Sequence, residues 1–285
     1  MSSWWPAVAL GVALALLAVL LIVGAVRRRR QRLARIPRKH GAQLKFPLVL
    51  AHGILGFDEL KLGPFRGQYF RGVAPRLERL GTRIYAFQVH PTAAVSSRAV
   101  ELAKALTELD APRVNIVAHS MGGLDARYLA SKLALAGKVA SIVTVGTPHR
   151  GTPLADLGAG LWLVAPTTKL LMDKAGFDAH GMLELTTARM EAFNREVVDQ
   201  EGIFYGSWLA RASFTLINPL LLPTWQLLRM KSGDNDGLVP VTSQQWGETC
   251  GTIEADHWGQ VGWALGFDAP AFYENVVTDL IGRGL

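Results

Sequence analysis

The chain has 285 residues, 49% of them hydrophobic, which is ample for one large folded domain with a real core. Its formal charge of +7 comes from 30 basic and 23 acidic residues, yet eight of the basic ones precede residue 41 with no acidic residue among them, and the rest balances at 22 against 23. The basic excess is therefore local and gives no case for a nucleic-acid-binding surface on the body, while a single cysteine, Cys250, excludes an intrachain disulfide and suits a reducing compartment.

In chain order the first feature is Ala7 to Val26, a run built only from Ala, Val, Leu, Ile and Gly. Twenty helical residues at about 1.5 Å each span about 30 Å, the thickness of a hydrocarbon core. Trp4 and Trp5 stand before the run and Arg27 to Arg30 follow it. With no positive n-region, too long an apolar stretch and arginines at its end, the segment reads as an uncleaved transmembrane anchor (1–26) rather than a signal peptide. The arginine side then faces the cytoplasm, with the rest of the chain behind it. Residues 27–45 read as a basic linker whose Arg32, Arg35, Arg38 and Lys39 suit anionic headgroups.

The body, 46–285, alternates short β-like runs with helical stretches. Pro47–Ala51, Arg83–Val89, Arg113–Ala118 and Val139–Val145 read as strands, and Val95–Leu109 and Leu124–Leu135 as helices between them. Such alternation implies an α/β domain with a mostly parallel sheet and helices on both faces, its site at the carboxyl ends of the strands. The suggestive residues fall there: H-G-I-L-G-F-D after the first run, H-S-M-G-G after the third and G-T-P-H-R-G-T after the fourth. Leu154–Ala165, followed by Pro166, and Phe214–Leu228, which contains Pro219 and Pro223, are apolar and read as core or as parts of a helical cap within 152–230.

Residues 114–122 read V-N-I-V-A-H-S-M-G, a β-branched run ending in a small-x-Ser-x-Gly step. That is the sequence form of a nucleophile elbow, with Ala118 in place of the usual first glycine. A serine hydroxyl needs a base oriented by a carboxylate, and the chain order for this elbow is Ser, acid, His. Of the histidines well downstream of Ser120, His180 has no turn-rich acidic motif before it, whereas His257 follows G-D-N-D-G-L-V-P-V at 233–241. Asp236, directly before Gly237, is preferred as the acid over Asp234. The oxyanion donors are assigned to the backbone N–H groups of Met121, after the nucleophile, and of Ile54 in the first strand-to-helix loop. His52 and His149 are read as structural, fixing that loop and the site wall.

Taken together, V-L-A-H-G-I-L-G-F-D, H-S-M-G-G, G-T-P-H-R-G-T, N-D-G-L-V-P and D-H-W-G-Q-V resemble the successive motifs of the calcium-dependent secreted bacterial triacylglycerol lipases, an α/β-hydrolase family, over residues 46–267. The resemblance implies carboxylic ester hydrolysis on lipid-like acyl chains, a mobile apolar lid, and Ser120, Asp236 and His257 as nucleophile, acid and base with Ile54 and Met121 as oxyanion donors. It also implies a structural calcium held by two aspartates, but the matching positions here are Asn218 and Gly259. Calcium takes six to eight oxygen ligands and carboxylate charge sets its affinity, so no metal and no other cofactor is expected. The same triad would serve an acyltransferase or thioesterase, and the fold could serve as a silent membrane-tethered interaction module. The intact Ser, Asp, His order favours the hydrolase.

Overall fold

The computed structural model describes residues 43–54, 59–62, 65–164, 180–264 and 266–285. The anchor expected over residues 7–26 and the linker up to residue 42 lie outside the described residues. Among the described residues no helix is long and apolar enough to cross a membrane.

In chain order the elements are β1 (Leu48–Ala51), β2 (Glu59–Leu62), β3 (Phe65–Gln68), α1 (Val73–Glu78), β4 (Ile84–Phe87), α2 (Val95–Glu108), β5 (Val114–His119), α3 (Gly122–Lys132), β6 (Val139–Val145), α4 (Pro153–Val164), α5 (His180–Glu184), α6 (Thr187–Glu196), β7 (Phe204–Arg211), α7 (Leu222–Ser232), α8 (Val241–Gln244), β8 (Glu248–Glu254) and α9 (Ala269–Gly282). Six strands form one sheet in the order β4-β1-β5-β6-β7-β8, and every pair in it is parallel. β2 and β3 form a separate antiparallel ribbon.

The central strands are covered on both faces, which is why β1, β5 and β6 read as nearly unbroken apolar runs and are buried along their whole length. On one face Leu48, Leu50, Val117 and Val143 meet Val73 and Leu77 of α1 and Phe272, Tyr273, Val276 and Leu280 of α9. On the other, Val49, Ile116 and Ile142 meet α2 and α3. Helix α2 buries Val95, Ala99, Leu102 and Leu106, the 4-3-4 spacing of a single helical stripe. Polar Asn115 is tolerated at the centre because Ser141 Oγ donates to its Oδ1 at 2.7 Å and its Nδ2 reaches Phe46 O.

All four expected strands and both expected helices are present, with ends that differ from the expected bounds by at most three residues. Several elements were not anticipated: the β2–β3 ribbon, α1, α8 and, most consequential for the sheet and its packing, β7, β8 and the C-terminal helix α9. Strand β7 lies inside the stretch 152–230, so that stretch is not one continuous insertion above the sheet. It supplies a strand between β6 and β8, and only the segments on either side of β7 remain available as a cap.

Candidate active site

Strand β5 delivers Ser120 at the middle of the sheet with φ of +55°, a left-handed conformation that a serine does not adopt without support. Such a residue costs on the order of 1–3 kcal/mol and persists only where its surroundings fix it. Here Ser120 N donates to Val145 O at 2.9 Å, while its own carbonyl accepts from Thr147 Oγ1 at 2.7 Å and from Gly123 N at 3.1 Å. Two glycines make the turn sterically possible. A Cβ on Gly122 would stand 2.6 Å from Ala51 O, and a Cβ on Gly53 would stand 2.6 Å from Ser120 Cβ. The loop after β1 therefore runs in close contact with the elbow, which brings Ile54 near Met121. Neither of their N–H groups is taken by an acceptor among the described residues. Met121 is buried, and Ile54 packs on the same cluster.

The loop is clamped from beneath by a residue that sequence reasoning missed. Arg98 of α2, fully buried, donates to His52 O at 2.8 Å and His90 O at 2.7 Å, and its Nε reaches Asp125 Oδ2 at 2.9 Å. Burial pushes the Asp125 carboxyl up to about 6 against the pull of Arg98. His52 does the loop-fixing work expected of it. Its Nδ1–H donates to Gly53 O at 2.9 Å and its Nε2 accepts from Val89 N at 3.1 Å, and burial lowers its pKa to about 4. His149 likewise holds the wall. It lies between Thr144 Oγ1 and Arg127 Nη1, stacked on Trp246, and burial keeps it neutral.

Asp236 and His257 come from the loops after α7 and β8. His257 Nδ1 donates to Asp236 Oδ2 at 2.8 Å, and the backbone joins them again through His257 N to Asp236 O at 2.8 Å. Asp236 is fully buried and its other oxygen accepts from Leu238 N and Val239 N. Its competitor Asp234 is half exposed and turned to Arg211 and Arg229 instead. His180 begins the short helix α5 and is exposed. The His257 ring lies 4.6 Å, centroid to centroid, from that of His119, the residue before Ser120, which brings His257 close to the elbow. Among the described residues no hydrogen bond joins Ser120 Oγ to His257. Such bonds commonly close only when substrate is bound.

The positions that would supply calcium carboxylates do not fit a cation. Asn218 Oδ1 accepts from Leu220 N at 3.0 Å, capping a short turn, and Gly259 has no side chain. The nearby carboxylate, Asp256, is already engaged on both oxygens, by Asn218 N at 2.8 Å and by Gly259 N at 2.6 Å. Among the described residues no group of three or more His, Cys, Asp or Glu side chains is arranged for a metal. Asp256 joins directly, through two backbone amides, the two loops that a shared ion would otherwise bridge.

Comparison with known proteins shows which chains this one resembles. Residues 29–202 match the family described as "Domain of unknown function (DUF7379)". The chain is 27% identical over 267 residues to a protein named "Triacylglycerol lipase 2" from Saccharomyces cerevisiae, covering 77% of this chain and 81% of that one. It is 28% identical over 242 residues to a "Triacylglycerol lipase" from Vibrio cholerae, covering 72% and 76%. Among solved structures, a metagenomic carboxyl esterase superposes with a TM-score of 0.71 at 20% identity, over 88% of this chain and 80% of its own. The mature form of a Bacillus licheniformis lipase superposes with a TM-score of 0.67 at 22% identity, over 86% and 96%. These superpositions share the fold: a mostly parallel sheet flanked by helices, as in the α/β-hydrolases.

Proposed function

We propose that this chain, which belongs to the DUF7379 family and is a carboxylic ester hydrolase, cleaves lipid-like acyl esters through an acyl-enzyme on Ser120. The single observation that carries this reading is the left-handed serine at the end of β5 with the Asp236–His257 pair standing beside it. His257 Nε2 takes the Ser120 proton as Oγ attacks the ester carbonyl. The oxyanion settles on the N–H groups of Ile54 and Met121, and the alcohol leaves with the proton from His257. Water, deprotonated by the same ring, then attacks the acyl carbonyl and releases the acid. Asp236 holds the ring with Nδ1 protonated, so that Nε2 is free to accept.

A lipid-like substrate is supported by the triacylglycerol lipases among its relatives and by the apolar segment before α7. There Phe214 and Leu220 are 69% and 76% exposed, and Met230 within α7 is 71% exposed. We read this segment and α4 as the cap. We also keep as a proposal the membrane anchor of residues 7–26 with the body on the cytoplasmic side, carried by the apolar run and the arginines after it. The function is tested with a fluorophosphonate probe and a panel of esters of increasing acyl length. The native chain should label and hydrolyse, and Ser120→Ala should do neither while keeping its fold. Labelling retained in Ser120→Ala would move the nucleophile elsewhere.

A further inference from the structure

Behind the site runs a chain of buried polar groups that the mechanism above does not use. Gly53 N donates to Tyr69 Oη at 3.1 Å, and Tyr69 Oη lies 2.7 Å from His119 Nδ1. His119 Nε2 lies 3.1 Å from Gln260 Oε1, and Gln260 Nε2 donates to Asp236 Oδ2 at 2.7 Å. The last atom is the one that accepts from His257 Nδ1. The chain begins in the oxyanion loop and ends on the acid.

Its direction follows from the chemistry of each group. A carboxylate only accepts, so Gln260 must present its amide N–H to Asp236 and its oxygen to His119. His119 is fully enclosed, and burial together with His257 holds its pKa well below the ordinary value, so it carries one ring proton. That proton must sit on Nε2, facing the Gln260 oxygen, which leaves Nδ1 to accept from the Tyr69 hydroxyl. Tyr69 oxygen is then free to accept from Gly53 N. Every donor has an acceptor, and reversing any member would set two donors or two acceptors against each other.

We propose that Tyr69, His119 and Gln260 are positioning residues that tie the oxyanion loop to the acid of the triad through this one directed chain of hydrogen bonds. The inference rests on the reading of Ser120, Asp236 and His257 given above. No proton travels along the chain. At one end it turns the Gly53 N–H away from the substrate side and leaves the next one, of Ile54, for the oxyanion. At the other it fixes which Asp236 oxygen faces His257. Gly146, at φ of +59°, makes room for this arrangement, since any Cβ there would collide with Gln260 Oε1. The His119 ring also lies against that of His257, 4.6 Å between centroids and tilted by 47°, so its placement bears on the base.

The test uses Tyr69→Phe, which removes one oxygen, and Gln260→Glu, which is isosteric, each measured for kcat and KM on a soluble nitrophenyl ester between pH 6 and 9. Tyr69→Phe leaves Gly53 N and His119 Nδ1 both unpartnered, and the expected result is a fall in kcat of about ten-fold or more with KM little changed. In Gln260→Glu the new carboxyl can replace the amide only while it is protonated and donating to Asp236. The titratable groups facing it are Asp236 and His119, with His257, Asp256 and Tyr69 just beyond. It should therefore add a loss of kcat on the alkaline side that the parent lacks, because two carboxylates in contact cannot both ionise freely. The double variant should depart from the product of the single losses by about three-fold or more. The downfield NMR proton of the His257–Asp236 bond should move in both single variants. A parent-like kcat in Tyr69→Phe, or a pH-independent loss in Gln260→Glu with the downfield proton unmoved, would overturn the chain while leaving the triad standing. Activity retained in Ser120→Ala would instead overturn the reading on which it rests.

Discussion

The two halves of the site are held by different physics. The nucleophile half is built from backbone in hard contact: a left-handed Ser120, a loop lying against it, and glycines at 53 and 122 where any side chain would collide. The base half is built from hydrogen bonds to one buried carboxylate, with four donors converging on the two oxygens of Asp236. Steric construction leaves a local trace in sequence, because it demands small residues at fixed offsets from a strand. Construction by hydrogen bonds draws partners from anywhere in the chain and leaves almost none.

The base half should break hardest through its charge. Asp236→Asn keeps the shape but removes the charge that stabilises the imidazolium and favours the wrong tautomer, and kcat should fall by about four orders of magnitude. Asp234→Asn, two residues away, disturbs only exposed pairs with Arg211 and Arg229 and should leave kcat within about two-fold. Steady-state rates of the two variants decide between them, and a larger loss at 234 would exchange their roles. The nucleophile half should break through volume instead. Gly53→Ala puts a methyl 2.6 Å from Ser120 Cβ and 2.9 Å from Tyr69 Oη, so the loop or the serine must move. Misplacement of that order costs about 100-fold in kcat/KM, measurable as slowed fluorophosphonate labelling.

This division explains what could be read from the sequence. β1, β5 and β6 were legible because double-sided burial turns them into apolar runs, and the elbow because Ala118, Gly122 and Gly123 frame Ser120. β7 was not, since F-Y-G-S-W-L-A-R mixes small, aromatic and charged residues and its pairing with β8 shifts register between Ser207 and Trp208. β8, at the sheet edge, buries only Ile253 and so carries little apolar signal. α9 did have a signal that went unused: Asp268 accepts from Ala271 N as an N-cap, Pro270 stands in the first turn, and Phe272, Val276 and Leu280 repeat at four residues. Tyr69, Arg98 and Gln260 had none, since Tyr69 and Gln260 meet His119 across 50 and 141 residues of sequence. Asp236 was separable from Asp234 only by its place before Gly237, and burial supplies the reason that place matters.

Acid cuts across the contrast, because the loop that lies against Ser120 is itself held by titratable groups, His52 and the Arg98–Asp125 pair. His52, His119 and His149 are all buried and held neutral, with pKa values below the ordinary 6.5. The unfolded chain therefore binds more protons than the folded one once the pH drops below 6.5, and stability present above that value is lost as the pH falls toward the folded pKa of about 4 for His52. Asp125, pushed up to about 6, acts in the opposite sense, since below that pH the folded chain holds its proton while the unfolded one does not. Three protons against one give a slope of up to about 3 kcal/mol per pH unit between pH 6 and 5. Urea midpoints at pH 7, 6 and 5 measure it. A flat series would mean that the histidines are not held neutral.

The smallest expected effect lies at the edge of the base half, where Asp256 links the Asn218 and Gly259 amides. A cation placed there would have to take oxygens already occupied by N–H donors, and it would find an amide and a bare glycine where carboxylates would be needed. Burial raises the Asp256 pKa, and the two amides partly offset that rise. Asp256→Asn can keep at most one of the bonds, since its NH2 group would face an N–H, and the cost should be about 1–3 kcal/mol, seen as a lower melting temperature. The native chain should melt and hydrolyse esters equally in chelator and in millimolar calcium. A saturable rise with calcium in the native chain, abolished in Asp256→Asn, would show that the carboxylate exchanges its amides for an ion.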